Sequence, residues 1–554
     1  MAKKDKTSGR YKMSMLTFLF LSIAGGGFAL KGVVSQFTEF GNFTVFLYLV
    51  CIIVYAIPYL FMIFEFASMK ITKNSESGYQ TWMSLILGRK LGFMAGFFYF
   101  FVNLFFFLDL VPVLITYGLY TVLGDGATQF LTDANAKVWF KPVIGLISIL
   151  LFWIATFIST KGPKWLGRVS SGAASMGMIL TFVFIVAAII ALASNKISNT
   201  QAGNYTMWKA SDSGAVAIKD ISWQKIGAVS WALQSMGGLE TMAAYKNDVR
   251  GGEKAFRRTL TINTIIFAGL FMLCAIFLQL VFPANEAVQQ GLLASIYYAF
   301  YCVGMPVWFT HIIGLTLTVS ALASLMLWTA APVKMLFVDA PKGIFGKKCS
   351  KVLKDGTPVN GLIAQGIIVT ILFTLQIVGS LSSGMNTFLI VLKNLDAGAS
   401  TIPVIFIIVA FIMLRLQSKK RPELDRTYHF LGKKPIWAIL AVIPLLSIVL
   451  LATFTSLIPS PEKFRSGDLK DPLMQLVLGP IGIILGFIFC EFLFRRWRKK
   501  NPNDHTFFNE IGIDEEAAKE LKVATTSISE GEEKNEIVKT TEKEVVKKDS
   551  KNKK

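Results

Sequence analysis

Some twelve apolar stretches, each about the 20 residues a helix needs to cross a bilayer, follow one another along the chain between residues 13 and 494. They fall near 13–35, 43–66, 92–122, 139–160, 169–193, 223–245, 259–282, 305–337, 360–380, 386–415, 436–458 and 473–494. Hydrocarbon offers no partner to a free N–H or C=O, so runs of this length and continuity must coil into helices that satisfy their own backbone. Hydrophobic residues make up 53% of the 554, far more than a soluble core requires. The expected fold class is an all-α polytopic membrane protein with about 12 transmembrane helices.

The formal charge of +21 raises the question of nucleic acid, but the cations are distributed otherwise. Lys and Arg crowd every second loop: Lys3 to Lys12, Lys70 to Lys90, Lys161 to Arg168, Lys246 to Arg258, Lys342 to Lys354, Lys419 to Lys434, and Arg495 to Lys500. The loop from Pro283 to Gly304 has neither. Such alternation is the positive-inside pattern of a plasma-membrane protein and places both termini in the cytoplasm. The first apolar run lacks a small-residue cleavage site and continues as a full span, so no signal peptide is expected. Cys51, Cys274, Cys302, Cys349 and Cys490 are scattered and odd in number, which indicates neither a disulfide framework nor a metal site. No nucleophile constellation, metal-ligand cluster or phosphate loop points to an enzyme, and no cofactor is expected.

Two spans carry glycine clusters: SIAGGGFAL (Ser22–Leu30) in the first and SMGGLETMAAY (Ser235–Tyr245) in the sixth. Each glycine weakens a helix by about 1 kcal/mol, and in a membrane the freed backbone must face a cavity or a ligand. Five spans separate the breaks, and because five is odd the two segments enter the bilayer from opposite sides. That is the arrangement of a five-plus-five inverted repeat with broken first and sixth helices, the pattern that marks a transporter's central site. The expected organisation is a cytoplasmic N-terminus (1–12), a first repeat (13–222), a second, inverted repeat (223–417), two additional helices (418–500) and a disordered cytoplasmic tail (501–554). The two additional spans hold neither an intramembrane charge nor a glycine break and read as peripheral.

Unwinding at Ala24, Gly25, Gly26 and Gly27 would leave N–H groups at the positive end of a half-helix, where a carboxylate is stabilised. Carbonyls freed near Ser235, Gly237 and Gly238 would accept from an ammonium group. Together the breaks suit the two charges of an α-amino acid; the alternative is that the glycines only allow close helix packing. Glu240 lies just past the second break, at a depth where an acidic residue usually serves a pathway, a partner or a proton; it is a candidate gate or proton carrier, or else a neutral carboxyl bonding unwound backbone. Lys393 and Asp396 share one helix face and either neutralise each other or meet substrate. Asp109 either faces the cavity or pairs with Lys393. Glu39 and Glu65 sit at span ends and read as interfacial. Trp231, Trp328 and Tyr117 are candidate cavity walls, and His311 a candidate pH sensor.

These segments resemble the amino acid, polyamine and organocation transporter superfamily. GGLETMAAYKNDVRGGEKAFRRTL (Gly237–Leu260) is similar to its Gly-Val-Glu-Ser segment with the basic exit that follows. STKGPKWLGRVSS (Ser159–Ser171) resembles the loop before the fifth span, and IPYLFMIFEFASM with SGYQTWMSLILGRKLGF (Ile57–Phe93) resembles the second span and its hairpin. WTAAPVKMLFVDAPKGIFG (Trp328–Gly346) matches the exit of the eighth span. The look is that of the glutamate and γ-aminobutyrate antiporter branch. The resemblance implies alternating access, exchange or proton-coupled uptake of an amino acid, carboxylate binding at Ala24–Gly27, and gating or proton coupling by Glu240. Val249 departs from the usual proline, three consecutive glycines replace a spaced Gly-Ser-Gly, and the lysine-rich tail does not match that branch's C-terminal plug. The expected function is a secondary active amino acid transporter acting with small-molecule substrate, protons and lipid. The alternatives are a cationic amino acid or polyamine exchanger, favoured by Asp109 and Glu240, and a non-transporting sensor or scaffold acting through its tail.

Overall fold

Continuous apolar sequence coils into helices wherever glycine and proline do not intervene, and the computed structural model follows that rule. It describes residues 12–25, 29–72, 78–135, 137–194, 223–282, 284–346, 348–349, 351–353, 356–380, 398–418, 420–459, 464–465 and 470–501. Among them the extended pairings are two isolated bridges, Met13 with Val249 and Met69 with Arg426. Among the described residues, eight helical stretches are long and apolar enough to cross a membrane, Met15–Ala67 counting once although two of the expected spans lie within it. The chain is thus an all-helical polytopic membrane protein.

The first span holds α1 (Met15–Gly25) and α2 (Ala29–Phe40), on either side of residues 26–28, which lie outside the described residues. The second runs through α3 (Thr44–Val50), a wide π-helical turn (Cys51–Ala56) and α4 (Ile57–Ala67). A short α5 (Tyr79–Leu87) leads into the long α6 (Arg89–Leu123), and α7 (Gly126–Asn135) into α8 (Phe140–Ser159) and α9 (Pro163–Ala193). The second half holds α10 (Trp223–Met236), α11 (Gly252–Val281), α12 (Ala284–Cys302), α13 (Phe309–Phe337), α14 (Val359–Ser380) and α15 (Ile402–Gln417). The last two helices are α16 (Pro435–Leu457) and α17 (Lys470–Lys500).

The helices pack so that the broken segments lie inside. α1 is enclosed by α9, α11 and α13, and α2 runs beside α10, α11 and α12. α6 and α13 pack backbone to backbone: a Cβ on Gly314 would collide with the Tyr120 carbonyl carbon. Small residues permit such approach between membrane helices, where packing rather than water exclusion drives association. α16 is exposed along one side, at Trp437, Leu440, Leu450, Leu451 and Phe454. Its other side packs on α10, where Ser456 donates to the Gly227 carbonyl at 3.0 Å and Trp223 Nε1 donates to the Ile458 carbonyl at 2.8 Å. Ser456 and Thr455 are buried against the α10 glycine.

Candidate functional site

The second glycine cluster breaks its helix, and the break faces the end of α1. α1 is described to Gly25 and α2 from Ala29; Gly26 and Gly27, on which the expected first break falls, lie outside the described residues. α10 ends at Met236, and Gly238 follows in the left-handed region at φ +83°, a conformation that costs an L-residue about 1–2 kcal/mol. A Cβ on Gly238 would lie 3.6 Å from the Trp328 ring and 3.9 Å from the Gly25 carbonyl oxygen. Trp328 Nε1 donates to that carbonyl at 3.1 Å. The Gly25 carbonyl is therefore satisfied by an indole that also walls the break at Gly238.

Beyond Gly238 the chain continues as ten residues of 3-10 helix, Leu239–Asp248, instead of α-helix. Runs of this kind longer than three or four residues are uncommon and mark hinges or strained sequence. Its far end is fastened by buried polar contacts. Lys334 Nζ lies 2.9 Å from Asp248 Oδ2 and 4.8 Å from the centre of the Tyr245 ring, and Lys246 donates to the Thr72 carbonyl at 3.1 Å. The Met13 N–H donates to the Asp248 carbonyl, and the Arg250 N–H to that of Met13, at 2.6 and 3.0 Å.

Glu240 is buried in the first turn of this segment. Its carboxylate accepts from Tyr59 at 2.7 Å and from Tyr99 at 2.9 Å. Tyr55 stacks on Tyr59, and Tyr79 leans on Tyr99, with ring centres 5.2 and 5.1 Å apart. Tyr55 lies directly behind the second break, its hydroxyl 2.9 Å from where a Cβ on Gly237 would be. The wide turn at Cys51–Ala56 carries Tyr55, in keeping with the placement of π-bulges at functional sites. A small cleft opens on Glu240, bounded by Tyr99, Asn103 and Phe106 of α6, Gln234 of α10 and Trp328 of α13. It joins a buried carboxylate to aromatic walls, and Gly238 lies against one of them, Trp328.

The remaining sequence candidates divide. Ala24 is buried in a small cluster with Ala173 and Ala323, so it brings α1 close to α9 and α13. Ser235 bonds its own helix at the Ala232 carbonyl, 2.8 Å away. Asp109, on α6 one turn past Phe106, is half-buried and interacts electrostatically with Lys31 of α2. Lys393 and Asp396 lie outside the described residues. Trp328 lines the cleft, Tyr117 lies beneath the Lys31 ammonium with 5.6 Å between Nζ and the ring centre, and Trp231 is half-buried on α10. His311 Nδ1 sits 2.9 Å from the Thr121 carbonyl, joining α13 to α6.

Glu65 is not interfacial. It is fully buried between two guanidinium groups, 2.5 Å from Arg415 Nη2 and 2.6 Å from Arg426 Nε, and also accepts from the Phe430 N–H at 3.0 Å. Its cations come from α15 and the segment after it, some 350 residues away in sequence, and no local pattern announces that pairing. Tyr59, Tyr99 and Lys31 were likewise missed. Lys31 had a signal, since it is a basic residue a few positions past a glycine break in an apolar span; the tyrosines had none, being common in such a chain.

The chain matches the family model described as amino acid permease over residues 13–486. It is 24% identical over 481 residues to the aspartate/glutamate permease AcaP of Lactococcus lactis subsp. cremoris, covering 84% of this chain and 92% of that protein. It is 23% identical over 437 residues to the glutamate/gamma-aminobutyrate antiporter of Lactococcus lactis subsp. lactis, covering 77% and 80%. It is 22% identical over 499 residues to the inner membrane transporter YjeM of Escherichia coli, covering 85% and 94%. With a sixth span broken at Gly238 inside an all-helical membrane bundle and a family match over nearly its whole length, the chain belongs to the amino acid permease family and is a membrane transporter of amino acids, not an enzyme.

Proposed function

We propose that this chain is a secondary active transporter of acidic amino acids that binds its cargo between the broken first and sixth spans and works by alternating access. The observation that carries this reading is the meeting of Gly25 and Gly238 beside a cleft. The N-terminus of α2 offers positive potential to the α-carboxylate, and the end of α10 offers carbonyls to the α-ammonium. Relatives named for aspartate, glutamate and γ-aminobutyrate support the cargo class.

In the cycle, cargo seated at the breaks would contact α1, α2, α10 and the 3-10 segment together. A ligand shifts a conformational equilibrium only by binding one state better, and the 3-10 segment is the one of these whose backbone differs from regular α-helix. The Lys334–Asp248 pair and the Met13 bridge act as the latch at the end with both termini, which the positive-inside pattern places in the cytoplasm. Glu240, held by two phenol donors, takes up and releases a proton as cargo comes and goes: protonation leaves the carboxyl hydrogen-bonded after one phenol reorients. Lys393 and Asp396 belong to the same reading as charges on the tenth span that cargo meets in passage. A cationic cargo is the less favoured reading, because Lys31 stands beside Asp109.

Equilibrium binding of radiolabelled glutamate to the purified protein tests the site. Binding should saturate, be displaced by aspartate but not by arginine or putrescine, and be lost in Gly238→Val; displacement by arginine at equal potency would overturn the acidic reading. For coupling, Glu240→Gln should keep binding and flatten the pH dependence of uptake. An unchanged pH profile would remove Glu240 from proton transfer.

A further inference from the structure

The last turns of α17 hold Arg495, Arg496, Arg498, Lys499 and Lys500. One carboxylate answers them at contact distance among the described residues: Glu491, which lies 2.6 Å from Arg495 Nε and is already shared with Lys90 of α6, 2.7 Å away. Arg496, Arg498, Lys499 and Lys500 are exposed. Elsewhere on the same side of the bundle Lys70, Lys334, Arg415 and Arg426 are answered by Asp425, Asp248 and Glu65. The basic end of α17 is nonetheless held in place. Trp497 is buried, its Nε1 donates to the Lys342 carbonyl at 3.0 Å, and the Arg89 guanidinium lies 4.3 Å from its ring centre. Cations of α6, of the segment after α13 and of α17 are thereby gathered around one indole.

One face of α17 relates this cluster to the bilayer. Ile481, Ile484, Leu485, Ile488 and Phe492 recur at helical spacing and are exposed, and Arg495, Arg496 and Lys499 continue the same stripe. From Ile481 to Phe492 the helix rises about 16 Å at about 1.5 Å per residue, close to the hydrocarbon depth of one leaflet, about 15 Å. The stripe therefore turns from apolar to basic at the depth where acyl chains give way to phosphates. The positive-inside pattern places this end in the cytoplasmic leaflet.

We propose that the cytoplasmic end of α17 is a binding site for an anionic phospholipid, whose acyl chains lie along the apolar stripe and whose phosphate is held by Arg496 and Lys499. Juxtamembrane cations attract negatively charged headgroups, and a guanidinium grips a phosphodiester through paired N–H donors. A zwitterionic headgroup brings its own cation, which cancels much of that attraction, and a soluble phosphate lacks the chains that fit the stripe. The Trp497 clamp orders the basic end beforehand, so less freedom is lost when a lipid binds. The lipid would join α17 to α6 and to the segment after α13, and Tyr99 of α6 and Trp328 of α13 wall the Glu240 cleft. This proposal stands independently of where cargo binds.

The test is native mass spectrometry of the full chain in detergent, titrated with dioleoylphosphatidylglycerol or dioleoylphosphatidylcholine, with glycerol 3-phosphate as the soluble headgroup. Phosphatidylglycerol should be retained saturably, at concentrations where phosphatidylcholine is not, and glycerol 3-phosphate should not displace it. The double variant R496Q/K499Q should weaken its retention about 25-fold, roughly fivefold for each cation near the membrane surface. The charge-preserving R496K/K499R should retain the preference. Lys433→Gln with Lys434→Gln, which removes two exposed cations from another cytoplasmic segment, should change retention less than about threefold. Deleting residues 501–554, which include the acidic stretch 504–536, should leave it unaltered. Equal retention of the two lipids, displacement by glycerol 3-phosphate, or equal losses in the two double glutamine variants would overturn the proposal. Retention that appears only after the deletion would make the tail the occupant of this surface and overturn it as well.

Discussion

Glu65→Gln is the substitution whose cost the structure defines most sharply. The wild-type carboxylate is inaccessible to solvent and accepts from three donors: Arg415 Nη2 at 2.5 Å, Arg426 Nε at 2.6 Å and the Phe430 N–H at 3.0 Å. Glutamine fits the same volume, but one of its two terminal groups is itself a donor. Either the Arg426 donor or the pair from Arg415 and Phe430 would then face an N–H. The two guanidinium groups, buried at 0% and 3% side-chain exposure, would also lose the negative charge between them. Removing one partner of a buried ion pair costs about 3–5 kcal/mol, most of it the penalty of an uncompensated buried charge. Because Glu65 ties α4 to α15 and to the segment before α16, the loss should appear as a lowered unfolding temperature of the whole bundle, measured by size-exclusion chromatography after stepwise heating in detergent. The apolar triple replacement E65M/R415M/R426M should recover much of the loss, since no charge is then stranded; recovery should be incomplete because Arg415 also donates to the Gly432 and Phe430 carbonyls. A Glu65→Gln protein as heat-resistant as wild type would refute the reasoning, as would a triple variant weaker than the single one.

Gly238→Ala should fold but lose about 1–2 kcal/mol from its left-handed backbone and crowd Trp328, raising the KM of exchange; an unaltered KM would mean that the break is not at the site. Asp248→Asn, which strands the buried Lys334 ammonium 2.9 Å away, should open the latch and shift cysteine-accessibility labelling of the 3-10 segment toward the exposed state, and labelling equal to wild type would contradict that role. Lys70 donates to Asp425 and holds its carboxyl below the ordinary range. The sign of that shift means the contact stabilises above a pH of about 4 and is lost as pH falls through the lower folded value. With 64% and 56% of the two side chains exposed, it is worth at most about 1 kcal/mol, so Lys70→Ala should leave heat resistance at neutral pH unchanged, and a large drop would show that it buttresses the buried triad.

The sequence made legible whatever is written in contiguous residues. Apolar runs of bilayer length dictated helices, and the second glycine cluster dictated where one of them breaks, because backbone freedom is a local property. Glu240 could be singled out since a carboxylate in hydrocarbon is conspicuous without any partner in view. What those residues touch was not legible. Tyr59 and Tyr99 reach Glu240 across 181 and 141 positions, and Arg415 reaches Glu65 across 350; such contacts exist only once helices have chosen neighbours. Glu65 was misplaced for that reason, since a carboxylate near a span end lies in the interface unless a cation from elsewhere is folded over it. The 3-10 course of Leu239–Asp248 was hidden too, because α-helical and 3-10 sequence preferences hardly differ and pinning at Asp248 by Met13 and Lys334 is a tertiary effect. Lys31 was readable and was passed over, being a single cation in an apolar segment whose glycines drew the argument.

The central claim is that cargo binds where Gly25 of the first span meets the break at Gly238 in the sixth. Counterflow of radiolabelled glutamate into proteoliposomes preloaded with single amino acids, comparing wild type with Gly238→Val, tests it most directly. The account predicts saturable accumulation driven by internal glutamate or aspartate in the wild type, and none in a Gly238→Val protein that still elutes as a folded species. Exchange that survives Gly238→Val with its KM unchanged would contradict it.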